Sequence, residues 1–223
     1  EPYDAVIADC LAILRLAAAA TGNAKFRFRD HEADIGSPAE RISVADAFAR
    51  YAAIDLMATL ERDGTPRVGR LARTAAAAGI KTAPDDSWSD IFSRALTEKI
   101  EPRLGIGAPT ILDRYPRIEA ALARTAPDDP RLAERFELYV CGVELANGFG
   151  ELTDAAEQRR RFKAEMEEKQ RIYGERYPLD EDFLAALAHM PDASGVALGF
   201  DRLVMLATGA GRVSSVMWTP PPE

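Results

Sequence analysis

The 223-residue chain is short of the residues that build several kinds of site. It has two cysteines, Cys10 and Cys141, far apart and without CxxC spacing, so neither a disulfide framework nor a zinc site is expected. It has two histidines, His31 and His189, which leaves no set of histidines for a metal centre. Apolar runs are short. The alanine stretches Leu16 to Ala20 and Ala75 to Ala78 favour helix and are far below the length of a bilayer span. The start, Glu1-Pro2-Tyr3-Asp4, has neither a basic region nor an apolar signal segment, so a cytoplasmic setting is expected. Positive charge is not in excess either. With 28 Lys and Arg against 36 Asp and Glu the net charge is −8, which argues against a broad nucleic-acid surface. The run Arg159-Arg160-Arg161 lies among glutamates and is read as a solvated helix face.

What is present is an ordinary soluble balance, with 47% hydrophobic and 29% charged residues. The first half reads mostly as helix. Ala5 to Ala20 has helical spacing, with Asp4 as N-cap and Gly22-Asn23 as stop. Lys25 to Ser37 is polar and reads as loop with one short strand-like piece. Ser43 to Tyr51 and Val68 to Ala78 are expected to be helical. Another helix opens at Asp86-Ser87 and places Trp88, Ile91, Phe92, Ala95 and Leu96 on a core face. After Pro109 the pattern changes to strands at Thr110 to Leu112, Phe136 to Val140, Val143 to Phe149 and Ser194 to Leu198. Helices are expected over Ala155 to Arg171, Phe183 to Ala188 and from Asp201 onward. The tail Pro220-Pro221-Pro222 continues neither element.

Three segments carry chemistry. In Arg135 to Leu145, a two-residue turn at Cys141-Gly142 sets Tyr139 opposite Glu144 and Glu137 opposite Ala146. Glu137, Tyr139 and Glu144 then share one face, while Phe136, Leu138, Val140, Val143 and Leu145 face a core. Two neighbouring carboxylates need a cation, a hydrogen-bond donor or solvent. Mg²⁺ on nucleotide phosphates meets that need, and so does a wet face. In Ser194 to Arg202 a strand of small residues runs into a helix, leaving one face open to a flat base. Arg202 in the first helical turn opposes the macrodipole and needs an anion, either a phosphate or a carboxylate. In Asn147 to Asp154, polar residues among glycines suggest a pocket wall, with a helix cap at Thr153 or Asp154.

Gly142 to Asp154, followed by Gln158 and Arg161-Phe162, resembles the lysine-recognising signature of class II lysyl-tRNA synthetases. Gly195 to Arg202 is similar to class II motif 3. Ala197, the segment Ala47 to Tyr51 with Ile54-Asp55, and the short stretch after motif 3 resemble the branch that modifies elongation factor P. The resemblance implies an α+β fold, a class II antiparallel sheet flanked by helices, here incomplete, with a helical insertion at about 38–108. It implies that Glu137 and Glu144 bind Mg²⁺ and ATP, that Gly199 lies against the nucleotide, and that Arg202 meets the γ-phosphate. Asn147, Phe149, Glu151 and Ala197 would line the amino-acid pocket, with Ala197 going with a preference for (R)-β-lysine over lysine. The acceptor would be elongation factor P rather than tRNA, and the whole protein would be a homodimer. Motifs 1 and 2 have no counterpart here, and the expectation is a truncated chain that is impaired or inactive. A fragment of a lysyl-tRNA synthetase and a non-catalytic, amino-acid-binding or regulatory paralogue are the other readings. Strict alternation sets Asn147 on the face opposite Glu144, so a bulge or kink is expected at Gly148 or Gly150.

Overall fold

A computed structural model describes residues 2–219; the proline tail lies outside the described residues. Helix α1 (Tyr3–Thr21) buries Tyr3, Ile7, Cys10 and Leu14, a 3–4 spacing that gives one apolar stripe. It starts two residues earlier than the sequence suggests. The Pro2 carbonyl already accepts from the Ala5 amide at 3.0 Å, so Asp4 sits in the first turn instead of capping it. At the other end Gly22 takes φ 67° and closes the helix, as expected.

The polar stretch after α1 is a hairpin, not a loop with one strand. Strand β1 (Lys25–Phe28) pairs antiparallel with β2 (His31–Asp34). Phe26 and Ala33 are buried between them, while Lys25 and Arg27 pair outward with Glu32 at 2.9 and 2.6 Å. That outward salt-bridged face is what disguised the strands.

The main sheet follows. Its strands β3 (Glu40–Ser43), β4 (Thr110–Asp113), β5 (Arg135–Val140), β6 (Val143–Gly150) and β7 (Ser194–Leu198) lie in that spatial order. β3 and β4 run parallel and every other neighbour pair is antiparallel.

Helices α2 (Val44–Ala52), α3 (Val68–Ala77) and α4 (Trp88–Ala95) fall between β3 and β4. Ser43 caps α2 by accepting from the Asp46 amide, and Ser87 with Asp90 forms a capping box on α4. Trp88 and Phe92 are core residues: Phe92 stacks on Trp88 at 5.2 Å and on Phe48 at 5.0 Å between centroids. The Trp88 indole donates to the Thr59 hydroxyl at 3.0 Å, so the buried ring leaves no orphan N–H.

Helix α5 (Ala155–Tyr173) is capped by Asp154, and α6 (Glu181–Leu187) by Asp180. Two of the three consecutive arginines 159–161 pair at the surface, Arg159 with Glu181 and Arg160 with Glu157. Arg161 turns inward with only 11% of its side chain exposed, so the triple-arginine run is not one solvated face. Helix α7 (Phe200–Thr208) packs with α1 on Phe136, Leu138, Val140, Leu145 and Ala146, which fill one side of the sheet. On the other side Leu112, Tyr115 and Tyr139 join the core of α2 to α4. No helix among the described residues is long and apolar enough to cross a membrane.

Candidate active site

The hairpin joining β5 and β6 turns at Cys141-Gly142, with φ of 55° and 72°. Two positive φ values are what a two-residue type I′ turn needs. Tyr139 pairs with Glu144 and Val140 with Val143, as expected. The register then shifts. Leu138 pairs with Ala146 and Glu137 with Asn147, which leaves Leu145 as an extra residue.

The bulge therefore lies at Leu145, and neither Gly148 nor Gly150 is kinked: they pair regularly with Val196 and Ser194 of β7. Two contacts favour Leu145. Its side chain is buried against α1 and α7, and its carbonyl accepts from the Gly199 amide at 2.8 Å. Gly148 is small for another reason, since a Cβ there would lie 2.5 Å from the Phe136 ring.

The extra residue moves Asn147 onto the carboxylate face. Across the sheet, Glu137, Asn147 and Ala197 now form one row, because directly paired residues point the same way. Arg135, Phe149 and Gly195 form the row beside it. The Glu151 carboxylate closes this end: Oε1 is 2.8 Å from where a Cβ on Gly195 would sit. A side chain at position 195 would therefore push the Glu151 carboxylate out of this position.

Glu137 is 5% exposed and already hydrogen-bonded. It accepts from Arg135 at 2.6 Å and from the Tyr139 hydroxyl at 2.7 Å. Arg135 stacks over the Tyr115 ring at 4.2 Å and also reaches the Glu119 carbonyl and Asn147 Oδ1. Glu144 is more open. Burial and then the Glu137 charge raise its pKa, with Arg202 and Arg135 opposing. Arg202 donates to the Glu144 carbonyl oxygen at 2.7 Å and stands 3.9 Å from its carboxylate. Half of the Arg202 side chain remains exposed. Gly199 caps α7, and the Arg202 side chain packs against it.

Sequence reading missed Glu101, which lies just after α4. Burial and then the charges of Glu137 and Glu144 raise its pKa, so its carboxylate lies within their electrostatic reach. A single glutamate at the end of an amphipathic stretch carries no local mark of that proximity. Glu151 is raised by burial alone.

The donor chemistry suits a phosphate-borne ion. Among the described residues no group of three or more His, Cys, Asp or Glu is arranged to hold a metal by itself. One engaged and one open carboxylate, mutually repelling, match Mg²⁺, which takes one or two carboxylates and the rest from phosphate and water.

The family model described as tRNA synthetases class II (D, K and N) matches residues 9–221. The chain belongs to that family. It is 40% identical over 184 residues to an elongation factor P–(R)-β-lysine ligase from Proteus mirabilis, covering 81% of this chain and 54% of the relative. A ligase of the same name from Klebsiella pneumoniae (strain 342) is 42% identical over 183 residues, with the same coverage. A lysine–tRNA ligase from Dehalococcoides mccartyi is 38% identical over 195 residues, covering 86% of this chain and 38% of the relative. The chain spans about half the length of the elongation factor P ligases it matches. The resemblance drawn from the signature and motif 3 is borne out, and so is the class II fold.

Proposed function

We propose that this chain carries the nucleotide and amino-acid half-sites of an ATP-dependent ligase. It activates (R)-β-lysine, or lysine, as an aminoacyl-adenylate and passes the acyl group to a lysine of elongation factor P. What carries the reading is the single sheet face on which Glu144, Glu137, Asn147, Phe149 and Ala197 lie in adjoining rows, with Arg202 at one end and Glu151 at the other. The relatives' names supply the substrate class and the acceptor.

Arg202 and Glu144 are assigned to catalysis. Glu137 and Glu144 would hold Mg²⁺, which would neutralise phosphate charge. Gly199 would lie against the nucleotide, and the half-exposed Arg202 fork would meet the γ-phosphate. Asn147, Phe149 and Ala197 shape the amino-acid pocket. Glu151 offers its carboxylate to a substrate ammonium. In the first step a substrate carboxylate oxygen attacks the α-phosphorus. The bond to the bridging oxygen breaks and pyrophosphate leaves. In the second, a lysine amine attacks the acyl carbon, AMP leaves, and the amine proton passes to solvent. Such catalysis rests on positioning and fixed charge more than on proton transfer. We take the helical stretch that follows β3, within the expected 38–108, as the insertion, because Glu40–Ser43 itself pairs with β4 in the main sheet. We take the cytoplasm as the setting and a homodimer as the assembly. By the resemblance the α-phosphate arginine belongs to motif 2, so weak turnover is proposed for these 223 residues alone.

The lysine–tRNA ligase relative supports a second reading, activation of lysine for tRNA. ATP–pyrophosphate exchange by Glu144→Gln and Arg202→Ala forms of the full-length gene product tests the site. Loss of exchange is expected in both; intact turnover in both would remove the metal and phosphate roles.

A further inference from the structure

Helix α5 presents two inward polar side chains that the chemistry above does not use. Gln158 is 1% exposed, and its amide donates to the Ala121 carbonyl at 3.3 Å. Three residues on, the Arg161 guanidinium donates to the carbonyls of Ala120 at 3.0 Å, Ala121 at 3.3 Å and Ala123 at 2.8 Å, and to the Thr125 hydroxyl at 3.1 Å. Glu157 accepts from Arg161 Nε at 2.8 Å and neutralises it. Residues three apart on a helix share a face, so both side chains converge on one loop, 120–125. A planar fork can serve several carbonyls at once, which a lysine ammonium on a flexible stem does less well.

The loop is fastened in turn to the end of β6. The Arg124 amide donates to the Gly150 carbonyl at 2.7 Å, and the Leu152 amide to the Leu122 carbonyl at 3.0 Å. Between them Ala123 and Glu151 form an antiparallel bridge. From the other side the Glu151 amide donates to the Ala193 carbonyl at 3.0 Å. The backbone of Glu151 is therefore held between a loop that α5 clamps and the approach to β7, with its carboxylate over Gly195.

We propose that Arg161, seconded by Gln158, is a positioning residue that sets the Glu151 carboxylate against the Gly195–Ala197 floor through loop 120–125, and so governs affinity for the amino acid. The proposal rests on placing the amino-acid end of the site at Glu151. Truncating Arg161 strands the Ala123 carbonyl and leaves Ala120 and Ala121 with one donor each, the Ala123 amide and Gln158, so the loop loosens.

The test pairs kinetics with amide hydrogen exchange in Arg161→Met, Arg161→Lys and Gln158→Met forms of the full-length protein. Arg161→Met should raise the amino-acid KM about tenfold, and Gln158→Met less, with the ATP KM changed by less than about twofold. Arg161→Lys should fall between wild type and Arg161→Met. Exchange at the Arg124 and Leu152 amides should quicken in the same order, with the β5 amides unchanged. Equal rises in both KM values, or an unchanged amino-acid KM, would overturn the positioning role. Unchanged exchange at Arg124 and Leu152 would overturn the clamp. A wild-type protein inactive with every amino acid would overturn the proposed function and the affinity role with it, while the exchange measurement still decides the clamp. If Arg161→Met does not fold, the Lys and Gln158 variants carry the same comparison.

Discussion

Arg202 donates to the main-chain carbonyl of Glu144 at 2.7 Å, and the neighbouring Leu145 carbonyl accepts from Gly199 at 2.8 Å. The bulge at Leu145 thus fastens the β7–α7 turn to β6 through two successive carbonyls. The arginine is oriented by backbone and keeps part of its fork for an anion. Arg202→Ala should lower kcat/KM for ATP by roughly a hundredfold or more, the scale for losing one oriented donor to developing charge. Arg202→Lys should recover little, because a single ammonium cannot span carbonyl and phosphate. Steady-state ATP–pyrophosphate exchange checks both.

Glu137 and Glu144 should respond in opposite ways to removal. Glu137→Ala leaves the largely buried Arg135 without its carboxylate and should cost about 3–5 kcal/mol. Glu144→Gln removes a charge that Glu137 repels, so it should raise the melting temperature of the nucleotide-free protein by roughly 1–3 °C while abolishing exchange. Thermal denaturation without nucleotide or Mg²⁺ separates the two.

Burial raises the Glu151 pKa, so its carboxylate forms only at a pH above the ordinary glutamate value of about 4.3. A substrate ammonium needs the ionised form. The amino-acid KM should fall as pH rises through that raised value and then level off, and Glu151→Gln should abolish the dependence. The stability effect has the opposite sign. The folded state binds the Glu151 proton more tightly than the unfolded chain, so stability gains as pH falls through the folded pKa. At neutral pH Glu151→Gln should therefore be no less stable than wild type in a denaturant titration.

Ala197 pairs with Asn147 on the pocket face. Removing its methyl group would widen the proposed amino-acid floor two residues along β7 from Gly195. Ala197→Gly should shift the ratio of kcat/KM values toward α-lysine by about tenfold, the scale of one carbon in a pocket. An unchanged ratio would remove the residue's part in substrate choice.

The paired carboxylates were legible because a two-residue turn fixes strand register from sequence alone, and Glu144 does oppose Tyr139. The register beyond was not legible. The bulge at Leu145 is set by the Gly199 amide, more than fifty residues away, and by burial under α1 and α7. Sequence alternation mispaired Glu137 with Ala146 and moved the irregularity to glycines that are small for packing reasons. The β1–β2 hairpin was hidden by its charged outer face. Arg161 was hidden in a run of arginines whose other two members do face solvent. The helices between β3 and β4 were readable because capping residues and apolar spacing are local signals.

The central claim is that this face activates a lysine-like amino acid with ATP. ATP–pyrophosphate exchange by the full-length gene product, with (R)-β-lysine and α-lysine compared side by side, tests it most directly. The account predicts exchange with both and preference for (R)-β-lysine. Preference for α-lysine would return the protein to the tRNA-charging reading, and no exchange with either would contradict the account.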